Sequence, residues 1–315
     1  MHSTLKEHGV IREETSGVVL FVGQVVNPLL LALKPAFKET IENAYRSAVG
    51  HVDFRNQSNV AREAVNAWAE EKTNGVIQNL LSPGSVTSKT MLILANALYF
   101  KGAWDSSFDP FRTQVRHFFL LNGSSVRVPF MTSSKDQFAL AFDDFKVLKL
   151  PYQTGQDTRA FSMYFFLPNA RDGLRVLVEK FGSISGFIEH HTPRQRVEMG
   201  DFRLPKFKIS FDFEASEFFK GQGLVLPFEG GLTEMVDSQL GISLFIHKAF
   251  VEVDEKGTKA AAAVSCHVTS VGFSMSKPVD VFDFVADHPF LFVIREDISG
   301  VVLFVGQVVN PLLSV

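Results

Sequence analysis

The sequence predicts an α+β chain, and three observations carry that expectation. Apolar or alternating runs read as strands at Met91–Phe100, Ser162–Pro168, Leu204–Phe211 and Phe245–Val253. Helical spacing of apolar residues marks other stretches, above all Asn59–Leu81. The composition is that of a folded chain with a sizeable core: 315 residues, 46% hydrophobic and 21% charged.

In chain order, a first helix is expected from Phe37 to Ser47, then a short strand at Val52–Phe54. Within Asn59–Leu81, the residues Val60, Ala64, Val65 and Trp68 share one side. Asn74-Gly75 breaks that run before a shorter helical piece. Met91–Phe100 is continuously apolar enough for a buried strand and ends at Lys101-Gly-Ala-Trp104. Leu204–Phe211 alternates, with Phe207, Ile209 and Phe211 opposite Lys206, Lys208 and Ser210.

Charge and motifs exclude several function classes. A net charge of −3 gives no general attraction to nucleic acid or to acidic membranes. The single cysteine, Cys266, rules out an internal disulfide framework and fits a reducing compartment. The expected location is cytoplasmic, with an extracellular one as the alternative. The apolar run Gly17–Leu33 lacks a clean basic stretch before it, because Glu7, Glu13 and Glu14 accompany Lys6 and Arg12. No G-x-S-x-G elbow, P-loop or H-E-x-x-H occurs, so no enzyme and no cofactor is expected. Cys266 and His267 are adjacent, and on an extended chain they point to opposite faces. Glu189, His190 and His191 form a cluster without a spaced second ligand pair, which favours a solvated loop over a metal site.

One stretch is chemically unusual. From Glu255 the chain reads EKGTKAAAAVSCHVTSV. With a period of two, Thr258, Ala260, Ala262, Val264, Cys266 and Val268 line one face, all small or apolar. Lys259, Ala261, Ala263, Ser265, His267 and Thr269 line the other. Alanines form strands poorly and helices well, and Gly257 adds a joint. A half-buried strand, a solvated loop and a short helix capped by Thr258 all remain open.

A second unusual feature is a repeat. Residues 11–30 and 294–313 are identical except at two positions, where Glu14 and Thr15 match Asp297 and Ile298. Two copies at opposite ends are not a solenoid.

The segments Phe100-Lys-Gly-Ala-Trp104, Asp254-Glu-Lys-Gly-Thr258 with its alanine run, and Asp283-Phe-Val-Ala-Asp-His-Pro-Phe290 follow one another in this order. From about Leu31 onward the chain resembles a plant-type serpin. The resemblance implies large mixed and antiparallel sheets, surrounding helices and an exposed reactive-centre loop at about 255–282. It divides the chain into 1–30, a misplaced copy of the C-terminal strand pair, and 31–315, a serpin domain whose N-terminal helices are missing. Residues 17–26 are strand-like, but they copy 300–309, so two identical strands are expected to compete for one register.

The function implied is inhibition of a serine-type protease by a suicide mechanism. The loop is cut and its hinge inserts into the main sheet. In the family, the hinge corresponds to Glu255, Gly257, Thr258, Lys259, Ala260, Ala261, Ala262 and Ala263. Asn96, Trp104 and His247 fall where the main sheet opens; Asn96 and His247 are expected to hydrogen-bond there. The family's loop length puts the cut at Val271–Gly272, with slippage toward Phe273 or Met275 as the alternative. No Arg or Lys lies between Ala260 and Ser276, which argues against a trypsin-like target. The expected partner is an elastase-like or chymotrypsin-like protease, with a cysteine protease as a further candidate. No nucleic acid or membrane partner is expected, and the chain is expected to be a monomer. The competing reading is a non-inhibitory remnant that acts as a binding or storage protein.

Overall fold

A computed structural model describes residues 19–23, 33–43, 49–154, 159–258 and 281–313. The early strands are β1 (Val19–Gly23), β2 (Val49–Val52), β3 (Leu92–Tyr99), β4 (Gly102–Ala103), β5 (Gln114–Phe119) and β6 (Ser125–Met131). Next come β7 (Gln137–Ala141), β8 (Phe145–Pro151), β9 (Phe161–Pro168), β10 (Arg196–Val197), β11 (Met199–Pro205) and β12 (Phe207–Glu214). The last are β13 (Leu244–Asp254), β14 (Gly257–Thr258), β15 (Phe282–Val285), β16 (Phe290–Glu296) and β17 (Val302–Val308). The helices are α1 (Pro35–Asn43), α2 (Ser58–Lys72), α3 (Leu174–Ser183), α4 (Phe187–His190) and α5 (Ser216–Gly221). No helix among the described residues is long and apolar enough to cross a membrane.

The chain divides into two compact units. One is built mainly from Lys101–Ile209 and Glu252–Ser314. It holds a six-stranded sheet in the order β10-β7-β8-β9-β16-β17 and a four-stranded sheet in the order β15-β11-β6-β5. The alternate residues Tyr164 and Phe166 of β9 and Leu291 and Val293 of β16 pack with Leu174 and Leu177 of α3. β9 is buried along its whole length, Ser162 included, whose hydroxyl donates to Asp297 Oδ2 at 2.7 Å.

The other unit comprises Glu13–Phe100 and Ser210–Val251. Here β2, β1, β3 and β13 lie side by side, and β12 pairs with β13. β1 is antiparallel to β3 and parallel to β2. β3 is apolar on both faces because both are covered. Ile93, Ala95, Ala97 and Tyr99 pack with Ala61, Val65 and Ala69 of α2. Leu92 and Leu94 meet a second cluster with Phe37, Ile41, Met235, Val236 and Leu240.

Four expectations need correction. The short strand is Val49–Val52, so Phe54 is buried just beyond it rather than within it. The buried side of α2 is Ala61, Val65, Asn66 and Ala69, whereas Val60 is 62% exposed and Ala64 is exposed. The helix stops at Lys72, and no shorter helix follows. Asn74 and Gly75 take positive φ, 50° and 78°, which ends the helical ladder. The chain is then held by Asn66, whose side chain accepts from Leu81 N at 2.8 Å and donates to Leu81 O at 3.0 Å. Leu204–Phe211 is two strands rather than one. Pro205 ends β11, since proline has no amide to donate, and Phe211 on β12 is 52% exposed.

The two copies of the repeat do not share a register. β1 pairs with β2 and β3, while β17 pairs with β16.

Candidate functional site: the hinge and its anchors

β13 ends at Asp254, and the chain reverses over Glu255 and Lys256 into β14. Asp254 makes the turn, its Oδ1 accepting from Lys256 N at 2.8 Å and Gly257 N at 3.2 Å. β14 has partners on both edges. Gly257 and Thr258 oppose Asp254 and Val253 on one side, and Ala103 and Gly102 of β4 on the other. Gly257 has φ +148°, and a Cβ there would lie 2.0 Å from Gly102 O. Only glycine fits.

The turn is fastened from outside. Glu255 Oε1 accepts from Thr113 Oγ1 at 2.8 Å, and Oε2 accepts from Lys206 Nζ at 2.7 Å. Glu255 O accepts from Phe108 N, and Lys256 O from Trp104 N. Burial pushes the Glu255 carboxyl up, but the bonds from Lys206 and Thr113 outweigh it and hold it below the usual range.

Trp104 is only 1% exposed, so it is a core side chain and a hinge contact at once. Its Nε1 donates to Asp254 O at 2.9 Å, and its ring stacks on Tyr152 at 4.6 Å. Thr258 is fully buried, with its Oγ1 2.7 Å from Tyr152 OH. Among the hinge residues, the structure thus brings Glu255, Gly257 and Thr258 together with Trp104. Lys259, Ala260, Ala261, Ala262, Ala263, Val271 and Gly272 lie outside the described residues.

The far end of the loop is anchored by β15, which runs parallel to β11. Phe282 N donates to Glu198 O at 2.9 Å, and Lys146 Nζ to Asp283 O at 2.9 Å. A cut between Thr258 and Phe282 leaves each new end on a separate strand.

Asn96 and His247 stand opposite one another in the other unit, on β3 and β13, which run parallel from Ile93/Leu244 to Tyr99/Phe250. No hydrogen bond joins their side chains among the described residues, and Asn96 Oδ1 is buried without a partner there. Burial holds His247 below the usual histidine range, so it is neutral near pH 7. The expected loop at Glu189, His190 and His191 is instead the end of α4 and its C-cap. Glu189 pairs with Arg295 at 2.6 Å, and His191 Nδ1 lies 2.6 Å from Phe187 O.

Sequence reasoning missed Thr113, Tyr152 and Lys206. Nothing in their local sequence marks them, because each meets the hinge only through folding.

Comparison with known proteins agrees with this arrangement. The family profile described as "Serpin (serine protease inhibitor)" matches residues 30–311. Serpin-ZXA of Oryza sativa subsp. japonica is 51% identical over 302 residues, which is 94% of this chain and 75% of that one. Serpin-ZX of Arabidopsis thaliana is 51% identical over 289 residues, 90% of this chain and 73% of that one. Arabidopsis AtSerpin1 in its native stressed conformation superposes with a TM-score of 0.81 at 46% identity, covering 95% of this chain and 76% of that one. Uncleaved ovalbumin gives 0.77 at 26%, covering 98% and 79%. A glycine-led hinge paired on both edges, a second anchor strand beyond a long intervening segment and these matches lead to one statement: the chain belongs to the serpin family, is of the plant type, and is a protease inhibitor.

Proposed function

We propose that this serpin traps a chymotrypsin-like or elastase-like serine protease at Val271–Gly272. The protease serine oxygen attacks the Val271 carbonyl. The peptide bond breaks, Gly272 leaves as an amine carrying the proton, and Val271 stays esterified to the protease. Hydrolysis of that ester competes with insertion of the freed hinge between β3 and β13.

The observation that carries this reading is the double pairing of β14. The first hinge residues already lie as a strand with neighbours on both edges. Thr258 to Val271 at ~3.3 Å per residue spans roughly 45 Å, which sets how far the attached protease is drawn. Each main-chain bond gained contributes about 0.5–1.5 kcal/mol net. The small inward set Thr258, Ala260, Ala262 and Val264 suits entry into a packed sheet. The absence of Arg and Lys from Ala260 to Ser276 disfavours a pocket built for a cation. The lone Cys266 suits a reducing compartment, and we assign the protein to the cytoplasm on that basis. Fractionation of expressing cells checks it.

The test is incubation with elastase, chymotrypsin and trypsin. The expected result is a complex stable in denaturing gels with one of the first two, and a released peptide that begins at Gly272. Plain cleavage by all three, without a complex, overturns the reading and leaves a binding or storage role.

A further inference from the structure

We propose that Tyr152 is a positioning residue for loop insertion: its hydroxyl holds Thr258, the first buried hinge side chain, in the sheet before the loop is cut. This rests on the insertion mechanism above.

The Tyr152 ring is fixed from several sides. It is 2% exposed and stacks on Trp104 with an interplanar angle of 15°. Its backbone pairs with Trp104 in a β-bridge, and its N donates to Phe161 O at 2.9 Å. The next residue is tied to β4, Gln153 N donating to Ala103 O at 2.8 Å. The hydroxyl therefore sits at one place, 2.7 Å from Thr258 Oγ1 and 3.5 Å from Met163 Sδ. Burial pushes the phenol pKa up, so the proton is retained at any working pH.

Thr258 is the residue at which an anchor matters. Gly257 has no side chain to hold, and the Glu255 carboxylate is engaged by Thr113 and Lys206. Everything after Thr258 must move during insertion. A strand that zips in from a fixed pair avoids ordering its first residues anew, which is the costly part of any cooperative ordering. If Thr258 leaves the slot part of the time, insertion starts later, while hydrolysis of the ester proceeds unchanged. The fraction of cuts that end in a trapped protease then falls.

Tyr152→Phe removes the hydroxyl and keeps the stacked ring. Thr258→Val removes the other hydroxyl and keeps the shape. For each variant, the ratio of cleaved, released inhibitor to trapped complex should rise by about fivefold, the effect of one buried hydrogen bond, and the moles of inhibitor consumed per mole of protease inactivated, one plus that ratio, should rise with it. The rate of cleavage at Val271–Gly272 should not change. Thr258→Ser should behave as the parent. The double variant should be no worse than either single one, because one bond has been removed in all three. An unchanged stoichiometry in Tyr152→Phe overturns the assignment, as does a double variant whose effects multiply. A control separates this from the mechanism beneath it. Cutting the parent's loop should raise its melting temperature, since the hinge enters the sheet. If the cut parent melts like the intact one, insertion itself fails and this assignment fails with it. If the cut parent is stabilised and Tyr152→Phe inhibits as efficiently as the parent, the assignment alone fails.

Discussion

Thr258→Arg puts the largest demand on the hinge. Thr258 is fully buried between two strands. A guanidinium placed there finds no free carboxylate, because Glu255 already receives Lys206 and Thr113. An unpaired buried charge costs several kcal/mol, and the Tyr152 hydroxyl loses its bond to Thr258, about 1 kcal/mol. The cheaper outcome is ejection of β14. That forfeits its main-chain bonds to β13 and β4, on the order of three or four, plus the Tyr152 bond, for a total of ~3–5 kcal/mol. At 1.4 kcal/mol per decade, insertion slows by roughly a hundredfold or more. The balance then shifts toward ester hydrolysis by the same factor. The assay is densitometry of denaturing gels after mixing with a titrated protease. The parent gives a covalent band; in the variant the ratio of complex to cleaved inhibitor should fall by about a hundredfold. The cut should still begin the released peptide at Gly272. A variant that traps as much protease as the parent would refute the claim that Thr258 must enter the sheet.

Other outcomes follow from the same geometry. Gly257→Ala should eject the hairpin, because the new Cβ meets Gly102 O at 2.0 Å and the φ of +148° is strained for any side chain; differential scanning calorimetry should show a loss of about 2–4 kcal/mol. Glu255→Gln should destabilise by about 1–2 kcal/mol, discounted because Lys206 is 35% exposed. It should also remove part of the acid sensitivity. The Glu255 carboxyl is depressed when folded, so its contribution is present above the unfolded value of 4.5 and is lost as pH falls below it. His247 is a base that burial holds below the usual histidine value of 6.5. Its neutral form is favoured by folding, so stability between β3 and β13 should decline as pH falls below 6.5. Hydrogen exchange at Asn96 and His247, corrected for intrinsic rates, should accelerate from pH 7.5 to 5.5 in the parent and not in His247→Gln.

What the sequence revealed depended on how local the cause was. β3 was legible because both its faces are covered, so its run is apolar except at Asn96. At the hinge the residues alone left a strand, a loop and a helix open, and the family resemblance singled it out; of that stretch Gly257–Thr258 is a strand. The end of α2 was misjudged because Ile77, Leu80 and Leu81 are buried with the helix without belonging to it. Their spacing fits a helical face, but Leu81 is bound by the Asn66 amide instead. Lys206 looked like one polar residue of an alternating strand. It sits between Pro205, which ends one strand, and Phe207, which starts another, and its side chain reaches Glu255. No period in the sequence reports such a contact.

The repeat tests how much a strand's sequence says about its place. Val19–Gly23 and Val302–Gly306 both read VLFVG. The first is an inner strand, parallel to β2 and antiparallel to β3; the second belongs to an edge strand whose partner is β16. Partner and direction are therefore not written in those five residues. They come from what adjoins them. β17 is joined to β16 by a short turn that includes Gly300 at φ +77°, and a short turn between neighbouring strands yields an antiparallel pair. Parallel neighbours need a longer crossover, and α1 lies between β1 and β2. The flanks thus send identical strands to different edges, and competition for one register is avoided. A chain in which the segment 24–48 is replaced by a four-residue turn should lose the parallel pairing of β1 with β2 while leaving β16 and β17 unaffected. Hydrogen exchange at Val49–Val52 against Val302–Val308 would distinguish the two. Equal protection of both segments in that variant would mean that the five residues do carry the partner choice.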